Sequence, residues 1–374
     1  MHQYIELRGK FTDAVIHTKH VEDYAIAQIK QLCDQEAMTG CKVRVMPDVH
    51  PGKVGPIGFT CTIGDRVMPA VVGIDIGCGM TMARIKKGKM EFQKLDAVIR
   101  DGVPAGFASR KQPHRFAEEF DFSLLRCASH VNEGKAKRSL GTLGGGNHFI
   151  ELDRNERKDT AIIIHTGSRH LGKEVAEYYL DEGRKALQTR GIDLAYELTY
   201  LDGQLKDDYL HDMAVVQSFA EENRRAILDV IAKGMKWKME DEVSVIHNYI
   251  DFSTEVPILR KGAISAKKDE TVIIPINMRD GVIIGKGLGN PDWNDSAPHG
   301  AGRIMSREQV KNSHTVAEFK KAMKGIYSTS IDKGTLDEAP FAYRGMDDIL
   351  PYLKETVAVD EIWKPIYNFK AGTE

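Results

Sequence analysis

Long apolar runs are missing from this chain. Eighteen consecutive apolar residues occur nowhere, so the sequence offers no membrane span. The opening Met1-His2-Gln3-Tyr4-Ile5-Glu6 lacks the basic start and apolar core of a signal peptide. Cysteine is also scarce: Cys33, Cys41, Cys61, Cys78 and Cys127 are odd in number and never spaced as CxxC. That argues against a disulfide framework and fits free thiols in a reducing compartment, so a cytoplasmic location is expected. A Walker-type GxxxxGK[ST] is absent, and any nucleotide must be held by other means. Net charge is only −2, so no overall basic excess announces a nucleic-acid partner, although a local basic groove would suffice. Candidates for one are Arg110-Lys111 with His114-Arg115, then Lys135, Lys137 and Arg138, and later Arg260-Lys261 with Lys267-Lys268. What is present is ordinary for a globular protein: 374 residues, 42% hydrophobic and 28% charged, ample for a large core.

Within that background, 72–80 stands out, reading Val-Gly-Ile-Asp-Ile-Gly-Cys-Gly-Met. Asp75 and Cys78 lie three residues apart among glycines, at the end of the apolar run from Met68 to Ile74. Glycine packs nothing and costs backbone entropy, so this density predicts a sharp turn or a close approach. Such a turn could aim a carboxylate and a thiol at one point, as a metal site requires.

Along the chain, apolar spacing predicts helices over 21–33, 92–100, within 115–133, over 173–189, 204–238 and 306–323. Strands are expected over 42–46, 57–63, 67–74, 81–85, 161–164, 243–246, 271–275 and 282–284. Polar residues recur where these elements end: Asn147-His148 and Glu151 after the glycines 144–146, His165 after Ala161–Ile164, and His247-Asn248 after Val243–Ile246. A long Gly/Asn/Pro-rich loop ends in Pro298-His299-Gly300-Ala301-Gly302-Arg303, with Arg307 beyond it. There are no repeats and no linker, which predicts one intertwined domain.

Four histidines, an acid and a thiol in such positions suit a divalent transition metal, with zinc first by ligand softness alone. The set exceeds one tetrahedral site, so two metals, or one metal and a catalytic histidine, are both open. Arg169, Arg303, Arg307 and the two glycine-rich loops add groups that favour phosphates, and together these suggest phosphoryl or nucleotidyl transfer.

In order, Pro47-Asp48-Val49-His50, 73–79, 144–151, His165-Thr166-Gly167-Ser168-Arg169, His247-Asn248, 299–303, Asp337-Glu338-Ala339-Pro340 with Tyr343, and Lys364-Pro365 before Lys370 resemble the RtcB-type RNA ligases. The resemblance implies an α+β fold, one compact unit over 1–374, with β-sheets packed centrally and flanked by helices. It also implies GTP- and manganese-dependent joining of RNA 3′-phosphate or 2′,3′-cyclic phosphate ends to 5′-hydroxyl ends, in RNA repair or tRNA splicing. His299 would become guanylated, and Asp75, Cys78, His148, His165 and His247 would hold two Mn²⁺ ions. The GTP pocket would comprise Asn147, His148, Phe149, Ile150, Glu151, His247, Asn248, Pro275, Ile276, Asn277, Met278, Val282, His299, Gly300, Ala301, Gly302, Tyr343 and Lys370. Arg169, Arg303 and Arg307 would hold RNA phosphates, and an archease-type activator is a partner known to the family.

The chain departs from the family pattern at Ile276, Asn277, Val282 and His170, which bears on nucleotide affinity and RNA range. Two other functions use the same ligands. A metal-dependent phosphatase or nuclease would not need His299, and an RNA-binding module with a structural zinc would leave the surplus histidines without a role.

Overall fold

A computed structural model describes residues 4–372, so the outermost residues of the expected 1–374 unit, 1–3 and 373–374, lie outside the described residues. Its strands, in chain order, are β1 (Ile5–Leu7), β2 (Ala14–Ile16), β3 (Val43–His50), β4 (Ile57–Thr62), β5 (Gly79–Lys87), β6 (Phe149–Arg154), β7 (Thr160–Thr166) and β8 (Lys238–Ile246). They continue as β9 (Asn248–Asp251), β10 (Ile258–Lys261), β11 (Ala263–Ser265), β12 (Thr271–Asn277), β13 (Gly281–Gly287), β14 (Ser296–Pro298) and β15 (Val357–Lys370).

Three sheets result. One runs β1-β2-β3-β4-β10-β9, a second pairs β11 with β14, and the largest runs β12-β13-β15-β6-β7-β5-β8. Every pair in the largest sheet is antiparallel. Strands distant in sequence are neighbours in each sheet, so the chain is woven together as the expected α+β class requires.

The largest sheet owes its position to two apolar faces. On β7 the side chains of Ile162 and Ile164 join one core, with Ile227 and Ile231 of the helix Gly203–Met235 and Leu95 and Ile99 of the helix Phe92–Gly102. Ala161 and Ile163 join another, with Ile273, Ile274 and Trp363. Both faces are buried, so β7 reads as a continuous apolar run. Among the described residues, no helix is long and apolar enough to cross a membrane.

Two expectations change. Residues 67–74 do not form a strand: Pro69–Val72 is a helical turn with Pro69 in its first positions, where a missing N–H costs nothing. The helix expected over 306–323 is two helices, Arg307–Ser313 and Val316–Ala322. Thr315 caps the second, its hydroxyl accepting from the Glu318 N–H while the Glu318 side chain reaches back. Within 115–133 only Arg115–Glu119 is α-helical, followed by two short 3₁₀ turns.

Candidate active site

The antiparallel order β6-β7-β5-β8 puts strand starts and strand ends side by side along one edge. Gly79 pairs with Thr166 on one side and Ile246 on the other, while His165 pairs with Phe149. Cys78 thus precedes β5, His148 precedes β6, His165 nearly ends β7, and His247 follows β8. The His247 N–H donates to the Cys78 carbonyl at 2.8 Å, and the Gly77 N–H donates to Asn248 at 2.7 Å. Gly77 has φ +70°, and a Cβ there would lie 2.8 Å from Ala220, so only glycine makes this turn without strain.

The side chains converge on the Cys78 sulfur. His148 Nε2 and His165 Nε2 each lie 3.4 Å from Sγ, and His247 Nε2 is 3.0 Å from His165 Nε2. Asp75 Oδ2 is 3.2 Å from His148 Nε2. Two groups, Cys78/His165/His247 and Asp75/Cys78/His148, each offer three ligand atoms within 4.8 Å of one another and share Cys78.

Local partners decide which ring nitrogen faces inward. His148 Nδ1 donates to the Leu143 carbonyl at 2.9 Å and His165 Nδ1 to the Asn147 carbonyl at 3.3 Å, leaving each Nε2 to coordinate. Burial holds His165 and His247 well below the usual histidine range, so both rings are neutral and can act as ligands. Burial, then Asp75, pushes the Cys78 thiol well above its ordinary range, and the buried Arg224 guanidinium opposes this. Burial would raise Asp75, yet its contact with His148 outweighs this and holds its carboxyl well below the usual range. Imidazole nitrogens gathered around a buried thiol, beside an ionised acid, form a site that a bound cation would complete, and the donor set fits a divalent transition metal.

Arg224 comes from the middle of the helix Gly203–Met235, and sequence reasoning missed it. It is fully buried and donates to the Gly77 and Thr166 carbonyls at 2.9 and 3.1 Å, tying the starts and ends of strands together beneath the sulfur. Its only sequence signal was an arginine within a helical pattern, which normally reads as solvated.

Across the cluster stands His299, its ring centroid 4.8 Å from that of His247. Its Nδ1 lies 2.8 Å from Oδ2 of Asp48, a fully buried carboxylate on β3. Asp48 lies in the Pro47–His50 motif that carries the family resemblance, yet no role was assigned to it, because its pairing partner lies 251 positions away. His50 also turns inward, donating from Nδ1 to the Asp48 carbonyl at 2.9 Å. Burial pushes His50 down to about 4.

His165, His247 and His299 open onto a cavity of about 720 Å³. Of the expected pocket residues, Asn147, Phe149, Glu151 and Asn248 line it from the sheet edge. Pro275 through Met278, Gly300 through Gly302, Tyr343 and Lys370 complete the wall. Three residues are placed elsewhere: Ile150 and Val282 are fully buried in the two cores, and His148 faces the sulfur cluster. Of the departures, Asn277 closes the β12–β13 turn by accepting from the Arg279 and Asp280 N–H groups at 3.0 Å. His170 pairs with Glu174 at 2.8 Å.

The arginines have unforeseen partners. Buried Glu338 takes Tyr343 Oη at 2.6 Å, Arg307 Nη2 at 2.8 Å and Arg303 Nη1 at 3.3 Å, and it also pairs closely with Lys370. Arg307 also meets Asp337. Glu338 therefore gathers the cationic wall of the cavity, and Arg303 and Arg307 are fixed by acids in this state. Arg169 differs. Its guanidinium lies 3.3 Å from His148 Nδ1 and packs against Gly144 so closely that a Cβ there would fall 2.0 Å from Nη1. Beneath the cavity, Asp153 is fully buried with neither oxygen receiving a donor, and Glu151 is within hydrogen-bond reach. Burial raises both acids, Glu151 to about 7 and Asp153 well above the usual carboxylate range.

Among known proteins, the family described as tRNA-splicing ligase RtcB matches residues 28–126 and 118–371. The chain belongs to the RtcB family. It is 31% identical over 359 residues to the RNA-splicing ligase RtcB1 of Escherichia coli ATCC 25922, covering 85% of this chain and 87% of that protein. RtcB of E. coli K12 gives the same identity and coverage. The tRNA-splicing ligase RtcB of Nanoarchaeum equitans is 27% identical over 396 residues, covering 82% and 83%. At family level this RtcB protein is an RNA ligase, and its candidate metal groups are those the family resemblance named.

Proposed function

We propose that this RtcB-family protein uses GTP and manganese to join RNA 3′-phosphate or 2′,3′-cyclic phosphate ends to 5′-hydroxyl ends, through a guanylate carried on His299. The observation that carries the reading is the His299–Asp48 pair at 2.8 Å, set against the ligand cluster at the mouth of a nucleotide-sized cavity. With Nδ1–H donated to a buried carboxylate, His299 presents Nε2 as the nucleophile and is stabilised as it gains positive charge. Nε2 bonds to the α-phosphorus of GTP as the α–β phosphoanhydride breaks and pyrophosphate leaves. An oxygen of the RNA 3′-phosphate then takes the guanylate, breaking the N–P bond and freeing His299. Finally the 5′-hydroxyl attacks the activated 3′-phosphorus, losing its proton and releasing GMP; a cyclic end is hydrolysed first.

Two manganese ions, held by Asp75, Cys78, His148, His165 and His247 with Cys78 shared, would neutralise phosphate charge. Tyr343 and Lys370 would meet the base, with Glu338 fixing both. Arg169, lying between Gly144 and His148, is the strongest candidate to hold an RNA phosphate.

The test is label transfer. Protein incubated with α-labelled GTP and Mn²⁺ should acquire label covalently, and His299→Ala should acquire none. No adduct with any divalent metal would sink the ligase mechanism, and turnover of a 3′-phosphate without joining would favour a phosphatase.

A further inference from the structure

Of the basic segments seen in the sequence, most are spoken for. Arg260 is fully buried against Asp251 at 2.7 Å, and Lys261 is buried with Nζ on the Val54 carbonyl. Lys267 pairs with Asp251, Arg115 with Asp229, and Lys137 with Glu133. Lys111, Lys135 and Arg138 are different: all three are exposed, and none has an ion pair among the described residues. They are also brought together. The Arg110 N–H donates to the Arg138 carbonyl at 2.9 Å, and Lys135 and Arg138 lie one turn apart on the helix Glu133–Ser139.

Beside them, Phe107 is 93% exposed, the barest large apolar side chain of the described residues. A lone exposed apolar residue normally needs no explanation. This one is held out by a loop whose backbone is pinned on both sides. The Gly106 N–H donates to Gly144 at 3.0 Å, the Leu143 N–H donates to Pro104 at 2.9 Å, and Arg110 Nη1 bridges the Gly102 and Gly141 carbonyls at 2.9 and 3.1 Å. Leu143 is also the residue whose carbonyl orients His148, so the Phe107 loop is hydrogen-bonded directly to the frame of the metal cluster. Gly144, bonded to Gly106, covers the Arg169 guanidinium. A fixed aromatic face next to unpaired cations combines the two elements by which proteins hold single-stranded nucleic acid: a stacking platform and a phosphate track. Fixing the loop beforehand lowers the ordering cost of binding.

We propose that Phe107, with Lys111, Lys135 and Arg138, forms a docking platform for the single-stranded RNA leading into the reaction centre. One nucleobase stacks on Phe107, and the phosphates beyond it lie along the three cations. Charge complementarity and direct hydrogen-bonded continuity with the Gly144 loop and Arg169 select RNA as the occupant. The proposal rests on the RNA-ligase reading of the site.

The test titrates the full-length protein into a single-stranded RNA with a 3′-phosphate and an internal 2-aminopurine, following fluorescence, while label transfer from GTP is measured on the same preparations. Phe107→Ala should weaken RNA binding roughly five- to a hundredfold, the range of one lost base stack, and abolish most of the quenching. Phe107→Tyr should retain both, and guanylation should be unchanged in each. Replacing Lys111, Lys135 and Arg138 together by alanine should lower the slope of log affinity against log salt by about 2, at ~0.7 per phosphate contact. Wild-type RNA affinity and quenching in Phe107→Ala would overturn the platform. Loss of guanylation in that variant would also overturn it, because Phe107 would then act on the nucleotide site. Failure of the native protein to form any guanylate would instead count against the ligase mechanism, leaving the RNA titration to be judged separately.

Discussion

In the mechanism proposed above, the same side chain serves two ends in neighbouring parts of this molecule, and its hidden nitrogen makes the difference. In the sulfur cluster, His148 and His165 give Nδ1–H to backbone carbonyls. A few ångströms away, His299 gives Nδ1–H to the Asp48 carboxylate. A carbonyl is a neutral acceptor that orients a ring without much favouring positive charge on it, which suits a ligand. A carboxylate favours the charge that builds on imidazole when Nε2 bonds to phosphorus, which suits a nucleophile. The proposed division of labour among the histidines thus follows from their acceptors more than from their positions in the chain.

Breaking either side of this contrast should give distinct signatures. Cys78→Ala should have the largest effect, removing the ligand common to both metal groups; guanylation should fall below detection and bound metal should drop on elemental analysis. Full activity in that variant would rule out the shared sulfur. Asp48→Ala should keep its metal yet slow guanylation by about 10²–10⁴-fold, a range typical of losing the group that orients a catalytic imidazole. If metal content fell in parallel, Asp48 would belong to the ligand frame instead. Thr166→Val removes a 2.7 Å hydrogen bond to the same Leu143 carbonyl that orients His148. Metal affinity there should weaken by about tenfold, the lower end for such supporting contacts, with little change in guanylation at saturating metal.

The smallest effect belongs to Asp153 and Glu151. Both acids are raised in the fold, so between the ordinary carboxylate range and their raised values the native state binds more protons than the unfolded chain. Stability contributed by the protonated pair is present at low pH and declines as pH rises through that window. Asp153→Asn keeps the shape and removes one titrating group, so thermal unfolding measured from about pH 5 to pH 8 should decline less steeply than in the native protein. An unchanged slope would show that Asp153 does not contribute a raised titration in this window.

Much of the site was legible in the sequence because its ligands sit at the ends of apolar runs, where strand chemistry and loop chemistry meet. His165 after Ala161–Ile164 and His247 after Val243–Ile246 are read this way, and the structure brings both to Cys78. Less visible was anything whose meaning depends on a distant partner. Asp48 is a buried acid only because His299 reaches it, and Glu338 is a hub only because Tyr343, Arg303, Arg307 and Lys370 converge there. Local pattern also misled at 67–74, where apolar residues looked like a strand until Pro69 began a helical turn. β15 was the least legible strand, the tail from Asp337 to Lys370 showing only short helical and strand signals. Its fourteen residues include Pro365, where the pairing with β6 shifts register, and the proline with its charged neighbours masks the strand pattern.

β15 is the strand that joins two halves of the molecule: it lies between β13 and β6, so the β12-β13 hairpin meets the strands that carry the sulfur cluster only through residues 357–370. The same strand carries Lys370 to Glu338 and Asn368 to Glu151. The sulfur cluster, at the ends of β6, β7, β5 and β8, thus takes no ligand from β15, whereas the cavity wall takes Asn368 and Lys370 from it.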